Sequence, residues 1–305
     1  MPTRDLDSLT DKLAALDIVQ AHHRGKVRDI YDLGDTLLIV TSDRISAFDV
    51  VFEDIIPNKG KVLNQISALF FQLTADIIPN HFISADVADY PSPLQAFAAE
   101  LEDRSMLVRK TRVVPFECIA RGYITGSAWG EYGKHGTVNG EKMAAGLVES
   151  QAFASPLFTP STKATEGHDE NISYATMKRH MDIWLAEKLR HTSLALYRFG
   201  HDFLAKRGIV LADSKFEFGT LDGQVVLIDE LLTPDSSRFW DAADYQQGRS
   251  QKSFDKQYVR DYLTQAGWNK QPPAPRLPTE VIERTFEKYY AAYKAIAGSD
   301  AKTWV

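Results

Sequence analysis

A single cysteine, Cys118, stands in 305 residues, so the chain has neither a disulfide framework nor a cysteine-rich zinc site available to it. Long apolar runs are missing too: stretches such as Ala68-Leu69-Phe70-Phe71 fall far short of a membrane span. Basic residues are in deficit, 35 Lys and Arg against 41 Asp and Glu for a formal charge of -6. Without a Lys/Arg block, the charge that drives non-specific nucleic-acid binding is absent. Met1 to Asp17 carries four aspartates, two basic residues and no apolar segment, unlike a secretory signal. These absences lead to the expectation of a cytoplasmic protein with no membrane or nucleic-acid partner. The two strong phosphate motifs, the P-loop and a strand-helix G-x-G-x-x-G, are also lacking, so any nucleotide site uses another device.

What is present is an ordinary globular composition, 44% hydrophobic and 25% charged, in a chain longer than one core usually supports. Two lobes around a shared cleft are expected, 1–113 and 114–305, with the boundary between the strands Met106–Arg109 and Val113–Ala120. The spacing predicts a helix over Thr10–Val19, a hairpin from Lys26–Tyr31 through Leu33-Gly34-Asp35 to Thr36–Val40, and a helix over Val62–Ile78 stopped by Pro79. Residues 130–164 read as a long loop and Tyr174–Arg207 as one or two helices. A second hairpin follows, Ile209–Phe218 and Val225–Glu230 around Leu221-Asp222-Gly223. In the polar tail, Tyr258–Leu263 and Val281–Ala297 keep helical spacing, and this tail is expected to cover the second lobe.

Several segments look like chemistry. Gly25-Lys26-Val27-Arg28 places two cations on one strand face beside a glycine, a device for polyphosphate or, taken alone, a solvated strand. Asp213, Lys215 and Glu217 share a face by the period of two, and the hairpin brings Glu217 toward Asp229 or Glu230. Carboxylates clustered at strand ends suit Mg²⁺, which takes hard oxygens and few of them from protein. Thr233-Pro234-Asp235-Ser236-Ser237-Arg238 reads as a turn before a helix start, a site for a monoester phosphate or a plain cap. Arg121 and Ser127 flank a glycine-punctuated turn and suit an anion or the turn itself. His168 beside Asp169 suggests acid-base work, although exposed histidines are commonly incidental. Cys118, inside an apolar strand, reads as a small hydrophobe.

In order, GKVRDIY (25–31), SDRISAFD (42–49), VPFECIARGYITGSAW (114–129), TPSTKATEGHDENIS (159–173), DSKFEFG (213–219) and DELLTPDSSRFW (229–240) resemble the SAICAR synthetase family, in its longer form. The resemblance implies an α+β, two-lobed fold akin to protein kinases and ATP-grasp enzymes, with mostly antiparallel sheets and flanking helices. It also implies a ligase of purine biosynthesis that uses ATP and Mg²⁺ to join L-aspartate to carboxyaminoimidazole ribotide (CAIR), giving SAICAR, ADP and phosphate. Small molecules are then the partners, and the protein a monomer or small homo-oligomer.

Carried over residue by residue, the resemblance implies that Gly25, Lys26 and Arg28 line the triphosphate, with Arg109 and Glu117 near adenine. Glu217 and either Asp229 or Glu230 would hold the metal. Arg121, Ser127, Lys163, Asp235, Ser236 and Arg238 would serve the substrates, and Lys215, Asp213, Asp49 and His168 the reacting centre. The base that frees the aspartate amine stays open among Asp213, His168 and substrate oxygen. A kinase is the rival reading, but H-R-D-x-x-x-x-N and D-F-G are both lacking. A non-catalytic nucleotide binder would not need two anion sites beside a carboxylate pair.

Overall fold

In a computed structural model that describes residues 4–48, 50–163, 169–254 and 256–304, the chain builds two antiparallel sheets in succession. Helix α1 (Arg4–Ala14) leads into β1 (Ala21–Arg24), β2 (Arg28–Asp32), β3 (Thr36–Thr41) and a separate hairpin, β4 (Arg44–Ala47) with β5 (Val50–Ile55). Then come α2 (Lys59–Leu73), β6 (Phe82–Ser84), the one-turn helices α3 (Ser92–Gln95) and α4 (Ala98–Leu101), and β7 (Ser105–Arg109). The first sheet has the order β1-β2-β3-β7-β6.

The second sheet is assembled from β8 (Arg112–Val113), β9 (Phe116–Tyr123) and elements that follow α5 (Gly126–His135) and the small hairpin of β10 (Thr137–Val138) and β11 (Glu141–Lys142). These are β12 (Ala152–Phe158) and β13 (Ser161–Thr162), then, after α6 (Tyr174–Arg179) and α7 (Ile183–Ala205), β14 (Ile209–Leu221), β15 (Gln224–Ile228) and β16 (Ser237–Asp241). The long strand β14 is its spine, pairing with β9, β15, β16 and β8. The tail adds α8 (Gln257–Gln265) and α9 (Thr279–Ala297).

Local chemistry explains most of this. The β14–β15 turn holds Asp222 at φ 50 and Gly223 at φ 78, the paired positive angles that a tight two-residue hairpin demands. Residues 174–207 form two helices because Asp182 restarts the chain, its side chain accepting from Leu185 N at 3.2 Å. The principal core joins α2, β9, α7, β14 and α9 through Phe70, Phe71, Cys118, Leu196, Phe216 and Tyr289. Cys118 is fully enclosed and burial pushes its thiol pKa up, so it packs as a hydrophobe.

Five expectations are corrected. The first helix lies at Arg4–Ala14, because Thr10 bonds the Asp29 carboxylate across the sheet at 3.3 Å instead of capping a helix. The helix expected over Val62–Ile78 starts at Lys59, where the Asp43 carboxylate accepts from Gly60 N at 2.9 Å. It stops at Leu73, since Thr74 turns back onto the Phe70 carbonyl at 2.7 Å. The loop expected over 130–164 contains the end of α5, the β10–β11 hairpin and most of β12–β13. After Pro234 the chain forms β16 and no helix, because Ser237 and Arg238 pair with Ser214 and Asp213 of β14. The tail covers the first half of the molecule: Val259, Leu263, Leu277 and Val281 pack on Ile45, Phe52 and Ile56, and α9 lies along α2.

Where the two sheets meet, Pro79–His81 is inserted between them. Leu227 N donates to Pro79 O at 2.9 Å, His81 N to Leu227 O at 3.0 Å, and Arg109 N to His81 O at 2.7 Å. The His81 ring is buried, its Nε2 has no hydrogen-bond partner, and burial lowers its pKa to about 3. The unfolded chain therefore takes up a proton near pH 6.5 that the folded chain refuses until about pH 3, so stability falls with pH across that window. The slope due to His81 is ~1.4 kcal/mol per pH unit. Denaturant titrations should show a shallower acid decline in His81→Phe than in the parent, each referenced to its own stability at pH 7.5. Parallel declines would remove His81 from the acid limb.

Candidate active site

The β1–β2 connection forms the roof of the site. Gly25, Lys26 and Val27 make its turn, with Gly25 N donating to Arg28 O at 2.8 Å. A Cβ on residue 25 would itself lie 2.8 Å from that oxygen, so the turn requires glycine. Lys26 thus sits on a turn and not on the strand face expected from the period of two. The loop is held from below by the buried side chain of Arg44, whose Nε and Nη2 donate to Lys26 O (3.3 Å) and Gly25 O (3.1 Å) while Asp29 anchors the guanidinium at 2.7 Å. Ser42 adds its N–H and Oγ to Val27 O, at 2.8 and 2.6 Å.

The floor is one face of the β9–β14 pair, where the register sets Asp213 opposite Arg121 and Lys215 opposite Ile119. Side chains of Glu117, Ile119 and Arg121 therefore share a face with Asp213, Lys215 and Glu217. Lys215 Nζ bonds Glu117 at 2.6 Å and Glu217 at 3.1 Å. Arg121 Nη1 bonds Asp213 at 2.7 Å, and Arg238 from β16 binds the same carboxylate. Lys163 pairs with Glu217 from the opposite side.

Roof and floor join through Arg28, whose guanidinium reaches Asp229 at 2.8 Å and Glu230 at 3.1 Å. Asp229 adopts φ 68 just past the end of β15, a kink that aspartate tolerates. Burial works to raise the Glu217 pKa, but Lys215, Lys163 and Arg28 outweigh it and bring it to about 2. Asp229 goes the other way: burial, with Glu217 and Glu230 adding to it against Arg28, raises it to about 6. Burial is thus the main cause at Asp229, and Arg28 offsets it only in part. Hard oxygens left short of positive charge are what a divalent cation relieves. Among the described residues no three of His, Cys, Asp and Glu converge into a metal-binding group.

Between these surfaces runs a cleft in two connected parts. One, of about 400 Å³, is lined by Gly25–Arg28, Ile30, Ile39, Leu63, Met106, Glu217, Asp229, Glu230 and Lys256. Its wall combines charged side chains with the apolar Val27, Ile30, Ile39, Leu63 and Met106. The other, of about 260 Å³, is lined by Arg121, Ser127, Ser236, Ser237, Arg238 and Arg260. Glu117, Asp169, Lys215 and Asp235 border both. A larger hollow of about 880 Å³ lies between α2, β6 and the tail; alanine and glutamine dominate its wall, and it holds none of these ion pairs.

The second part carries a helix N-terminus that came from an unexpected motif. It belongs to α5, where Gly126 takes φ 57 and a Cβ would fall 2.4 Å from Arg238 Nη2. Only glycine lets Arg238 lie across the first turn, next to Ser127 and Arg121, which are themselves 3.4 Å apart. The first N–H groups of a helix lack internal partners, so this corner favours an anion.

Of the residues singled out from sequence, the structure brings Gly25, Lys26, Arg28, Glu117, Arg121, Ser127, Lys163, Asp213, Lys215, Glu217, Asp229, Glu230, Asp235, Ser236 and Arg238 into this one cleft. Arg109 is exposed at the end of β7, bonded to the Asn80 carbonyl, and does not line it. Asp49 and His168 lie outside the described residues. Lys256 and Arg260 line the cleft from the tail, and Lys59 stands fully buried against Asp235 at 2.9 Å. Sequence reasoning missed all three, since nothing in the local pattern of a lysine announces that it is buried or that a distant helix folds back.

The SAICAR synthetase family model matches residues 21–275. The phosphoribosylaminoimidazole-succinocarboxamide synthase of Geobacter metallireducens is 54% identical over 276 residues, covering 90% of this chain and 93% of that protein. The enzyme of the same name from Elusimicrobium minutum is 52% identical over 275 residues, covering 90% and 94%. Among solved structures, the SAICAR synthase of Saccharomyces cerevisiae complexed with SAICAR has a TM-score of 0.85 at 42% identity, covering 95% of this chain and 97% of that one. A SAICAR synthetase in complex with ADP has a TM-score of 0.68 at 26% identity, covering 93% of this chain and 100% of that one. With the family model, the relatives and the solved structures in agreement, the chain belongs to the SAICAR synthetase family.

Proposed function

We propose that this cleft joins L-aspartate to the carboxylate of CAIR at the expense of ATP, giving SAICAR, ADP and phosphate, as a step of de novo purine biosynthesis. The observation that carries the reading is the pair of anion sites sharing the border of Glu117, Lys215 and Asp235. One site suits a nucleotide triphosphate beside an apolar slot and the other a phosphate monoester, so their substrates meet at the shared border. The solved neighbours support the reading from the product side: one is complexed with SAICAR and another with ADP.

In this reading Lys26, Arg28 and the Gly25–Val27 turn hold the triphosphate, and Ile30, Ile39, Leu63 and Met106 flank the adenine. Glu217 with Asp229 or Glu230 holds Mg²⁺, which when bound neutralises phosphate charge. Arg121, Ser127, Arg238 and the start of α5 hold the ribotide phosphate. Asp213, bound by both arginines, fixes their orientation, and we assign it that role rather than proton transfer. Lys215, raised in pKa by Glu217 and Glu117 against the opposing effect of burial, stays cationic and steadies the imidazole carboxylate.

A carboxylate is a poor acyl donor until one oxygen becomes a phosphate. The substrate carboxylate therefore attacks the γ-phosphorus and ADP departs; the aspartate amine then attacks the acyl carbon, displacing phosphate and giving up one N–H proton to an oxygen of the departing phosphate. Catalysis rests on in-line placement and charge neutralisation, which these cations provide. Lys163 borders the place where aspartate arrives. A cytoplasmic setting with small-molecule partners fits this chemistry; among the described residues no helix is long and apolar enough to cross a membrane.

Coupled ADP release should require ATP, Mg²⁺, L-aspartate and CAIR together, with SAICAR detected by mass; release indifferent to aspartate would replace the ligase with a kinase or ATPase. Glu217→Gln should lower turnover by roughly 10²-fold or more with the circular dichroism of the parent, and unchanged turnover at saturating Mg²⁺ would remove Glu217 from the metal site. Arg238→Ala should raise the KM for CAIR by about 30-fold or more, as expected when a charged phosphate contact is lost. A parental KM for CAIR in that variant would mean that the phosphate lies elsewhere.

A further inference from the structure

Helix α9 lies beyond residue 275, where the family model ends, yet it touches the border of the active site. It buries Val281, Tyr289, Ala292 and Ile296, and the hydroxyl of Tyr289 donates to Asp235 Oδ1 at 2.6 Å. The other oxygen of Asp235 takes Lys59 Nζ at 2.9 Å and Lys256 Nζ at 3.1 Å. Lys59 is 0% exposed, donates also to Arg44 O at 3.2 Å, and stands 5.6 Å from the centre of the Tyr289 ring. Three segments distant in sequence, the start of α2, the turn before β16 and the tail, thus converge on a single carboxylate.

Both oxygens of Asp235 are engaged, so its rotation is fixed as well as its position. That carboxylate is buried against the protein at the border of the two parts of the cleft. It opens the segment Asp235–Arg238, whose Ser236, Ser237 and Arg238 line the ribotide end of the cleft, and it fixes Lys256, which lines the nucleotide end. Burial favours the neutral acid, but Lys256, Lys59 and the Tyr289 hydroxyl together outweigh it and hold the carboxyl well below its ordinary pKa.

We propose that Tyr289 is a positioning residue for the ligase reaction: through Asp235 it orients the Ser236–Arg238 segment and so sets the affinity for the ribotide. The inference rests on the assignment of that pocket to the ribotide given above. The fit is specific to the hydroxyl. Phenylalanine would keep the ring packed against Lys59 and would leave both lysines on Asp235, so the fold survives while the carboxylate regains freedom about its side-chain torsion.

The test is Tyr289→Phe in the full chain, with steady-state kinetics in each substrate and calorimetric titration of CAIR without ATP. The KM for CAIR and its calorimetric Kd should rise together by about 5- to 20-fold, the scale of one charge-assisted hydrogen bond partly transmitted. The KM for ATP should stay within about twofold of the parent's, and the melting temperature should be nearly unchanged. Parental values for CAIR in both measurements would overturn the proposal. So would an equal weakening toward ATP and CAIR with a lowered melting temperature, which is the mark of a merely structural tyrosine. If the parent protein bound CAIR but never turned over with aspartate, the ligase reading would fail instead, and calorimetry alone would still decide the role of Tyr289.

Discussion

Charge on the common face of β9 and β14 is the constraint that organises this molecule. Alternation along the two strands places Glu117 and Arg121 beside Asp213, Lys215 and Glu217, most of them largely withdrawn from solvent. Each charge needs a partner at hydrogen-bond distance, since an unmatched one would cost several kcal/mol. The sheet supplies most partners by cross-strand register, and β16 and the strand after α5's loop supply the rest through Arg238 and Lys163. The result is a surface of shared charges: Asp213 is held by both Arg121 and Arg238, and Lys215 bonds both Glu117 and Glu217.

The same logic extends outward from the cleft. Arg28 ties the first sheet to Asp229 and Glu230 at the end of β15, and Arg44 holds the hairpin turn from beneath with Asp29 as its counter-ion. Lys59 carries a buried charge from α2 to Asp235. These pairs link elements that the backbone leaves separate, and two of them, at Arg28 and Asp235, reach the lining of the cleft. They give the site its geometry without contributing much net stability, because the cost of desolvating both partners offsets the attraction between them.

Much of this was legible in the sequence, for reasons that differ by element. The β14–β15 hairpin announced itself through alternating apolar residues and Asp222-Gly223, and the facing of Asp213, Lys215 and Glu217 followed from a period of two. The ordered motifs from Gly25 to Trp240 pointed to the family. Other features were hidden because tertiary contacts override local pattern. Thr10 looks like a cap but is used by Asp29, and Ser236-Ser237 looks like a helix start but is captured by β14 as an edge strand. The glycines at 126 and 130 suggested a turn, whereas Gly126 begins a helix with a positive φ under Arg238. Burial of Lys59 left no local trace at all; it depends on a carboxylate 176 residues later in the chain.

The insertion of Pro79–His81 between the two sheets carries a mechanical consequence. Its backbone bonds to Leu227 and Arg109 make a seam of peptide groups between the two sheets. Swinging one sheet away from the other would break those bonds together and wet the buried ring of His81. That edge of the molecule is therefore tied by main chain, whereas the Gly25–Val27 turn is held chiefly by the side chains of Arg44 and Ser42.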